Sequence, residues 1–280
     1  MMAELINRRA LKAETRELLL DAQVSPKAFV ALYLVLLLAL NLVDSLTGTG
    51  ILSTFVSILV TLLAVVLEAG FIFYCMAVRQ GERAEFLALF DGFSFAGKVI
   101  GLSLLRYLYT YLWSMLFVIP GIIAAYRYRF ALYNLCENPE VGIFEALNMS
   151  KRQTLGYKGQ LFTLDLSYLG WTLLAGIPSI VYSIAFYQLL LQEMVSLYGF
   201  VFQPAAWTSI VSLLPGWGWT LVMGVWNLAV SLFYLPAYQC VELGYFETAK
   251  TTSGVGSGAA SNQGPSYWGR RDGPDDLGGY

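Results

Sequence analysis

Hydrophobic and polar positions in this chain come in long blocks. Apolar runs approach the ~20 residues that a helix needs to cross a ~30 Å hydrocarbon core. The first expected span is Ala28 to Leu46, preceded by Ser25-Pro26-Lys27 and interrupted only by Asn41, Asp44 and Ser45 near its far end. Thr47-Gly48-Thr49-Gly50 reads as a tight turn, and a second span follows from Ile51 to about Val78 with Glu68 inside it. That span is longer than a bilayer requires, so it tilts or projects. The polar connection from Arg79 to Gly97 is studded with Phe86, Leu89, Phe90, Phe93 and Phe95. Their spacing predicts a short helix against the interface, with its rings toward lipid or protein.

A third span is expected over Val99–Ile119, with Arg106 in its lower part. Pro120-Gly121 is expected to break it, because proline lacks the N–H and glycine permits a turn. A fourth, short run from Ile122 to about Cys136 carries Arg127 and Arg129. Asn138-Pro139 then reads as cap and first turn of a helix over Glu140–Leu155. The fifth span starts near Leu161 and runs past Pro178 to about Leu191, and the sixth runs from Trp219 to about Tyr245 with Pro236 inside. Gln192 to Gly216 forms the one long connection between them, where Trp207 fits an aromatic belt at the headgroups along with Trp217 and Trp219. Ahead of the spans, Ala3 to Gln23 is a charged helix candidate that suits either an anionic membrane surface or plain solvent. From Thr248 the chain turns to Gly, Ser, Asn, Pro and Asp, too little apolar surface to offset ordering entropy, and disorder is expected there.

Three regions follow: a cytoplasmic amphipathic N-terminal helix (1–27), a six-span transmembrane domain (28–247) and a disordered Gly/Ser-rich cytoplasmic tail (248–280). The expected fold class is an all-α integral membrane protein, a bundle of about six transmembrane helices with short amphipathic interfacial helices. Composition agrees: the chain is 57% hydrophobic and 13% charged, with mean hydropathy +0.60, whereas soluble domains carry about 25% charged residues. The first apolar run starts only after a long charged segment, which favours a retained anchor over a cleaved signal.

Charge placement sets an expected orientation. With six spans and the N-terminus inside, the inside segments hold Arg8, Arg9, Arg16, Lys27, Arg79, Arg83, Lys98, Lys151, Arg152, Lys158, Lys250, Arg270 and Arg271. The outside segments hold no lysine or arginine. That is the positive-inside pattern, and it puts both termini in the cytoplasm of a cell membrane. The alternative is a chain that stops crossing near Ala125. It would leave five spans and put Arg127, Arg129, Lys151, Arg152 and Lys158 outside, against the pattern.

Charges inside spans are functional candidates, because a buried ion in lipid is costly. Glu68 and Arg106 fall at similar depth and make an ion pair plausible. Its bland reading is a structural contact or snorkelling to the interface. Asp165, Glu242 and Arg129 could form a polar cluster, although nothing in their spacing demands it. Arg127 completes the set. The tyrosines of the central hairpin suit packing better than a ligand cage. The sequence has no histidine and three isolated cysteines. It also lacks GxSxG, P-loop and HExxH patterns. No catalytic, metal or cofactor residue is therefore expected.

Several short pieces, in order, carry a resemblance. They are Ile6-Asn7-Arg8-Arg9-Ala10, Leu89-Phe90-Asp91-Gly92-Phe93, Ile119-Pro120-Gly121-Ile122-Ile123 and Asn138-Pro139-Glu140. Ser150-Lys151, Gly156-Tyr157-Lys158, Leu166-Ser167-Tyr168-Leu169-Gly170-Trp171 and Leu235-Pro236-Ala237-Tyr238 complete the set. Over about residues 4–247 they resemble the bacterial integral membrane family called domain of unknown function 975. The resemblance implies a multi-span cytoplasmic-membrane protein and supplies no catalytic residues. Pro236-Ala237-Tyr238 departs from the family's adjacent Pro-Tyr, and the Gly/Ser-rich tail is peculiar to this chain.

The expected function is a non-enzymatic scaffold or accessory subunit whose partners are the lipid bilayer and a membrane protein or a second copy, with no nucleic acid. The alternative is a small-solute transporter or channel with a polar site around Glu68 and Arg106. An intramembrane enzyme acting on lipid has only Glu68, Asp165 and Glu242 as acids.

Overall fold

The long apolar blocks fold as helices because only internal backbone bonding satisfies N–H and C=O groups away from water. The computed structural model describes residues 4–256 except 23, 49, 83 and 198–215, and the backbone alone over 189–197. Trp207, Arg83, Arg270, Arg271 and the tail beyond 256 therefore lie outside the described residues, as does most of the Gln192–Gly216 connection. Nine α-helices are described: α1 Arg8–Asp21, α2 Pro26–Leu46, α3 Ile51–Gln80, α4 Ala96–Leu116, α5 Val118–Arg127, α6 Ala131–Glu137, α7 Ile143–Gln153, α8 Lys158–Leu197 and α9 Trp217–Ser253. A 3-10 helix, Phe86–Phe95, leads directly into α4. Five segments are long and apolar enough to cross a membrane: α2, α3, the 3-10 helix with α4, α8 from Lys158 to Gln188, and α9.

Several boundaries depart from the sequence reading; Asn138 closes α6 instead of capping the next helix, which starts at Ile143 behind Gly142. The third span ends at Leu116, and the reversal falls on the extended residue Phe117, not at Pro120-Gly121. Pro120 sits in the first turn of α5, where its missing N–H has no intrahelical partner to lose. Gly121 lets α5 lie directly on α4, since a Cβ there would fall 2.8 Å from the Ser114 Cα. The fourth run is also not one helix, because α5 and α6 are separated by a turn at Tyr128–Phe130. Ten residues make about 15 Å of α5, so neither piece spans alone. Finally, α9 continues past Thr248 to Ser253 and ends on Gly254 in the left-handed conformation.

The break between α5 and α6 is stitched by α7. Ser150 Oγ donates to the Arg127 carbonyl at 2.9 Å and accepts from the Phe130 N–H at 3.1 Å. Asn134 and Gln153 exchange two amide hydrogen bonds of 2.8 Å, both side chains fully buried. Seven-residue α6 is buried from Ala131 to Cys136, with its polar Asn134 paired to Gln153. Beyond it, the Pro139 carbonyl accepts from Lys98 Nζ, and Ile143 packs at Gly101. Together α5 and α6 thus return the chain to the end where α4 began.

The core is concentrated at that same end. Leu67 and Ala69 to Val78 of α3 are buried, as are Cys240 to Phe246 of α9. At the opposite end, Ile51, Leu52 and Phe55 of α3, Phe117 to Ile119, and Trp217 of α9 are exposed. α1 is capped by Asn7, whose Oδ1 accepts from the Arg9 and Ala10 N–H groups. It docks on the bundle through buried Leu11 and Thr15. The 3-10 helix crosses α3 in backbone contact, because a Cβ on Gly70 would lie 1.9 Å from the Leu89 carbonyl oxygen. Leu89 is buried there, while Phe86, Phe90 and Phe93 face outward.

Candidate functional site

Arg129 occupies the turn between α5 and α6, and the break in the helix frees it to point between α8 and α9. Its Nε donates to Glu242 Oε1 at 2.6 Å, and its Nη1 to Asp165 Oδ2 at 2.7 Å. Nη2 reaches Asp165 Oδ1 at 2.9 Å and Glu242 Oε2 at 3.0 Å, and also the Tyr238 hydroxyl. One guanidinium therefore bridges two carboxylates, forked toward each, the geometry that arginine favours and lysine cannot copy. Two tyrosines complete the shell: Tyr126 donates to Asp165 Oδ2 at 2.6 Å and Tyr238 to Asp165 Oδ1 at 2.7 Å. The Glu242 side chain is 6% exposed, Arg129 18% and Asp165 31%, so the carboxylate on α9 is the best shielded.

Glu68 and Arg106 also meet, at 4.0 Å, as a looser pair with side chains 39% and 20% exposed. Glu68 lies within electrostatic reach of Glu242. Arg127 stays outside it. Its carbonyl takes bonds from Ser150 and Thr154, and its guanidinium lies 5.8 Å from the Tyr128 ring centre. Three of the six candidate residues thus form one cluster, two form a pair, and one stands apart.

Residues outside the candidate set also contribute. Tyr238 sits four residues before Glu242, on the same face of α9, so its place was readable from helical spacing. Tyr126 lies three residues before Arg129 but across the unpredicted break. Arg79 makes a second forked contact, with Nε 3.0 Å from both Glu247 oxygens and Nη2 2.7 Å from Oε2, and it lies 3.6 Å from Glu14 of α1. Lys250 pairs with Glu137. Among the described residues, no group of three or more His, Cys, Asp or Glu side chains is placed to hold a metal ion. The arrangement offers charge-assisted ties between helices.

These features define a class, an all-helical protein with several helices able to cross a membrane and ion pairs tying those helices near one end. Residues 115–250 match the family model described as Protein of unknown function (DUF975), a match over just under half of the chain that supports an assignment to this family. The matched stretch contains α5 to α8 and most of α9, including Arg129, Asp165 and Glu242. No curated protein and no solved structure matches the chain.

Proposed function

We propose that this is a non-enzymatic scaffold or accessory subunit of a bacterial cell membrane, crossing the bilayer six times with both termini in the cytoplasm. The discontinuous α5–α6 segment makes the fourth crossing. Support for the orientation comes from the basic residues. Arg8, Arg79, Lys98 and Lys250 bond to Thr163, Glu247, Pro139 and Glu137, all at the end where α6 and α7 pack. Thr47, Gly48 and Phe117, at the opposite end, have no Lys or Arg beside them in sequence. Positive-inside retention makes the basic end cytoplasmic. A reporter fused after Gly159 is expected to be active only in the cytoplasm, and activity in the exterior compartment would remove the sixfold weave.

The observation that carries the scaffold reading is the engagement of Arg129. Its three nitrogens bond within the cluster and join α5–α6, α8 and α9. Such a site fixes helices against one another instead of presenting charge to a solute. Meanwhile, among the described residues, Leu173, Ile177, Ile180, Val181 and Ile184 of α8 are exposed. Extraction in mild detergent should recover this protein with a membrane-protein partner or a second copy. A chain that consistently emerges alone would count against the scaffold. The broken fourth crossing, with Arg129 in its break, favours a transporter as second reading, since discontinuous helices build midplane sites in that class.

A further inference from the structure

The first turns of α8 carry different neighbours on different faces. On one side lies α1: Gln160 accepts from the Ile6 N–H, Arg8 donates to the Thr163 carbonyl at 2.9 Å, and Lys12 donates to Ser167 Oγ at 2.9 Å. On another lies the end of α5: Tyr126 bonds Asp165 and meets the Phe162 ring edge-on at 6.4 Å. Between these flanks, Phe162, Leu166, Leu169 and Leu173 are exposed. Their spacing of four, three and four residues makes one continuous stripe. At its basic end stands Gly159, where a Cβ would meet nothing within 4 Å.

Each flank carries a pair of cations: Arg8 at Thr163 and Lys12 at Ser167, over the Tyr168 ring, on one side, and Arg127 and Lys158 on the other. Arg8 and Lys12 are close enough that burial, and then the charge of Arg8, push the Lys12 ammonium below its ordinary range. Arg127 and Lys158 likewise lie within reach of each other's charge. None of the four forms a salt bridge among the described residues, whereas Arg79, Arg106, Arg129 and Lys250 all do. The carboxylates nearby are otherwise engaged or at the edge. Asp165 is taken by Arg129, and Glu4 sits on the α1 side, tied through its backbone to Tyr157 and Gln160.

We propose that this face of α8 binds an anionic phospholipid, with an acyl chain along Phe162, Leu166, Leu169 and Leu173 and the phosphate between Arg8/Lys12 and Arg127/Lys158. An apolar stripe flanked on both sides by paired cations complements that molecule in shape and in charge. Like cations held together without a carboxylate are stabilised by an anion between them. A zwitterionic lipid fits the stripe equally well but brings no net charge to the cations.

The proposal rests on the bilayer reading above. Native mass spectrometry of the detergent-purified protein titrated with phosphatidylglycerol or phosphatidylcholine tests it. The unaltered chain should retain phosphatidylglycerol preferentially. Arg127→Gln/Lys158→Gln and Arg8→Gln/Lys12→Gln should each weaken that binding by about tenfold or more and leave phosphatidylcholine unchanged. Lys27→Gln, at the same end beside Phe233 of α9, should have no such effect. Equal affinity for the two lipids, or an equal loss in Lys27→Gln, overturns the site.

A second readout leaves every cation in place. The native cysteines are buried, so a fluorophore on Gly159→Cys reports locally, and brominated phosphatidylglycerol should quench it more than brominated phosphatidylcholine. Equal quenching sinks the proposal even if the charge variants misfold. A chain that stays in the membrane fraction without lipid preference loses this site and keeps the bilayer reading. One that leaves the membrane fraction loses both.

Discussion

Arg129→Met should sharply reduce the folded protein recovered from membranes. The substitution strands Asp165 and Glu242, the latter almost fully buried, and breaking a buried ion pair from one side costs about 3–5 kcal/mol. The lower part of that range applies, because Asp165 keeps about a third of its side chain exposed and water screens it. Neutralising the partners as well, in Arg129→Met/Asp165→Asn/Glu242→Gln, should restore much of the loss, since a fully neutral cluster leaves no orphaned charge. Arg129→Lys should fall between, as one ammonium cannot fork to two carboxylates. Abundance and thermal stability in detergent report all three. If Arg129→Met accumulates and melts like the parent, the cluster does not hold the bundle together, and the case for a scaffold weakens with it.

Gly70→Ala should be nearly as damaging for a different reason. Its new methyl would sit 1.9 Å from the Leu89 oxygen, 2.5 Å from its carbonyl carbon and 2.8 Å from its Cα. Those are backbone atoms, so no rotamer change relieves the overlap, and the 3-10 helix must lift off α3. Overpacking of this kind costs about 1–3 kcal/mol and occasionally more. The upper end is expected because Leu89 and Gly92 both press on α3. Gly170→Ala in α8 is the matched control, since its Cβ would meet nothing within 4 Å. It should be neutral or slightly stabilising, as alanine favours helix over glycine by about 1 kcal/mol. Indistinguishable melting of the two variants would show that the contact between the 3-10 helix and α3 is not tight in the protein.

Much of the helical layout was legible in the sequence because a bilayer-length apolar run carries its own signal. Ile51–Gln80 and Pro26–Leu46 fall within a residue or two of where hydropathy and the Thr47–Gly50 turn put them. The meeting of Glu68 with Arg106 was legible too, from counting rise along two helices. What failed was punctuation. Pro120-Gly121 has the chemistry of a helix break, yet proline in the first turn of α5 breaks nothing, and the glycine serves close packing against Ser114. The real reversal is at Phe117, a residue with no turn signature. The break after Arg127 was hidden for a related reason. Its loose backbone groups are satisfied by Ser150 of α7 and Thr154 at its end, and local sequence does not record a partner 20 or more residues away. The cluster around Arg129 depended on that break. Its members were visible as costly charges, but their convergence is a tertiary fact.

The docking of α1 has a consequence for how the chain is made. Leu11 packs at Gly244 of α9, and Glu4 and Gln160 bond across a separation of 156 residues. At roughly 5–20 residues per second of synthesis, Leu11 leaves the ribosome some ten to fifty seconds before Gly244 exists. Through that interval α1 can meet α3 and later α8, but the apolar side carrying Leu11 lacks its surface on α9. The nascent protein must wait with α1 only partly sheltered, and that window is when holding factors or proteases would find it.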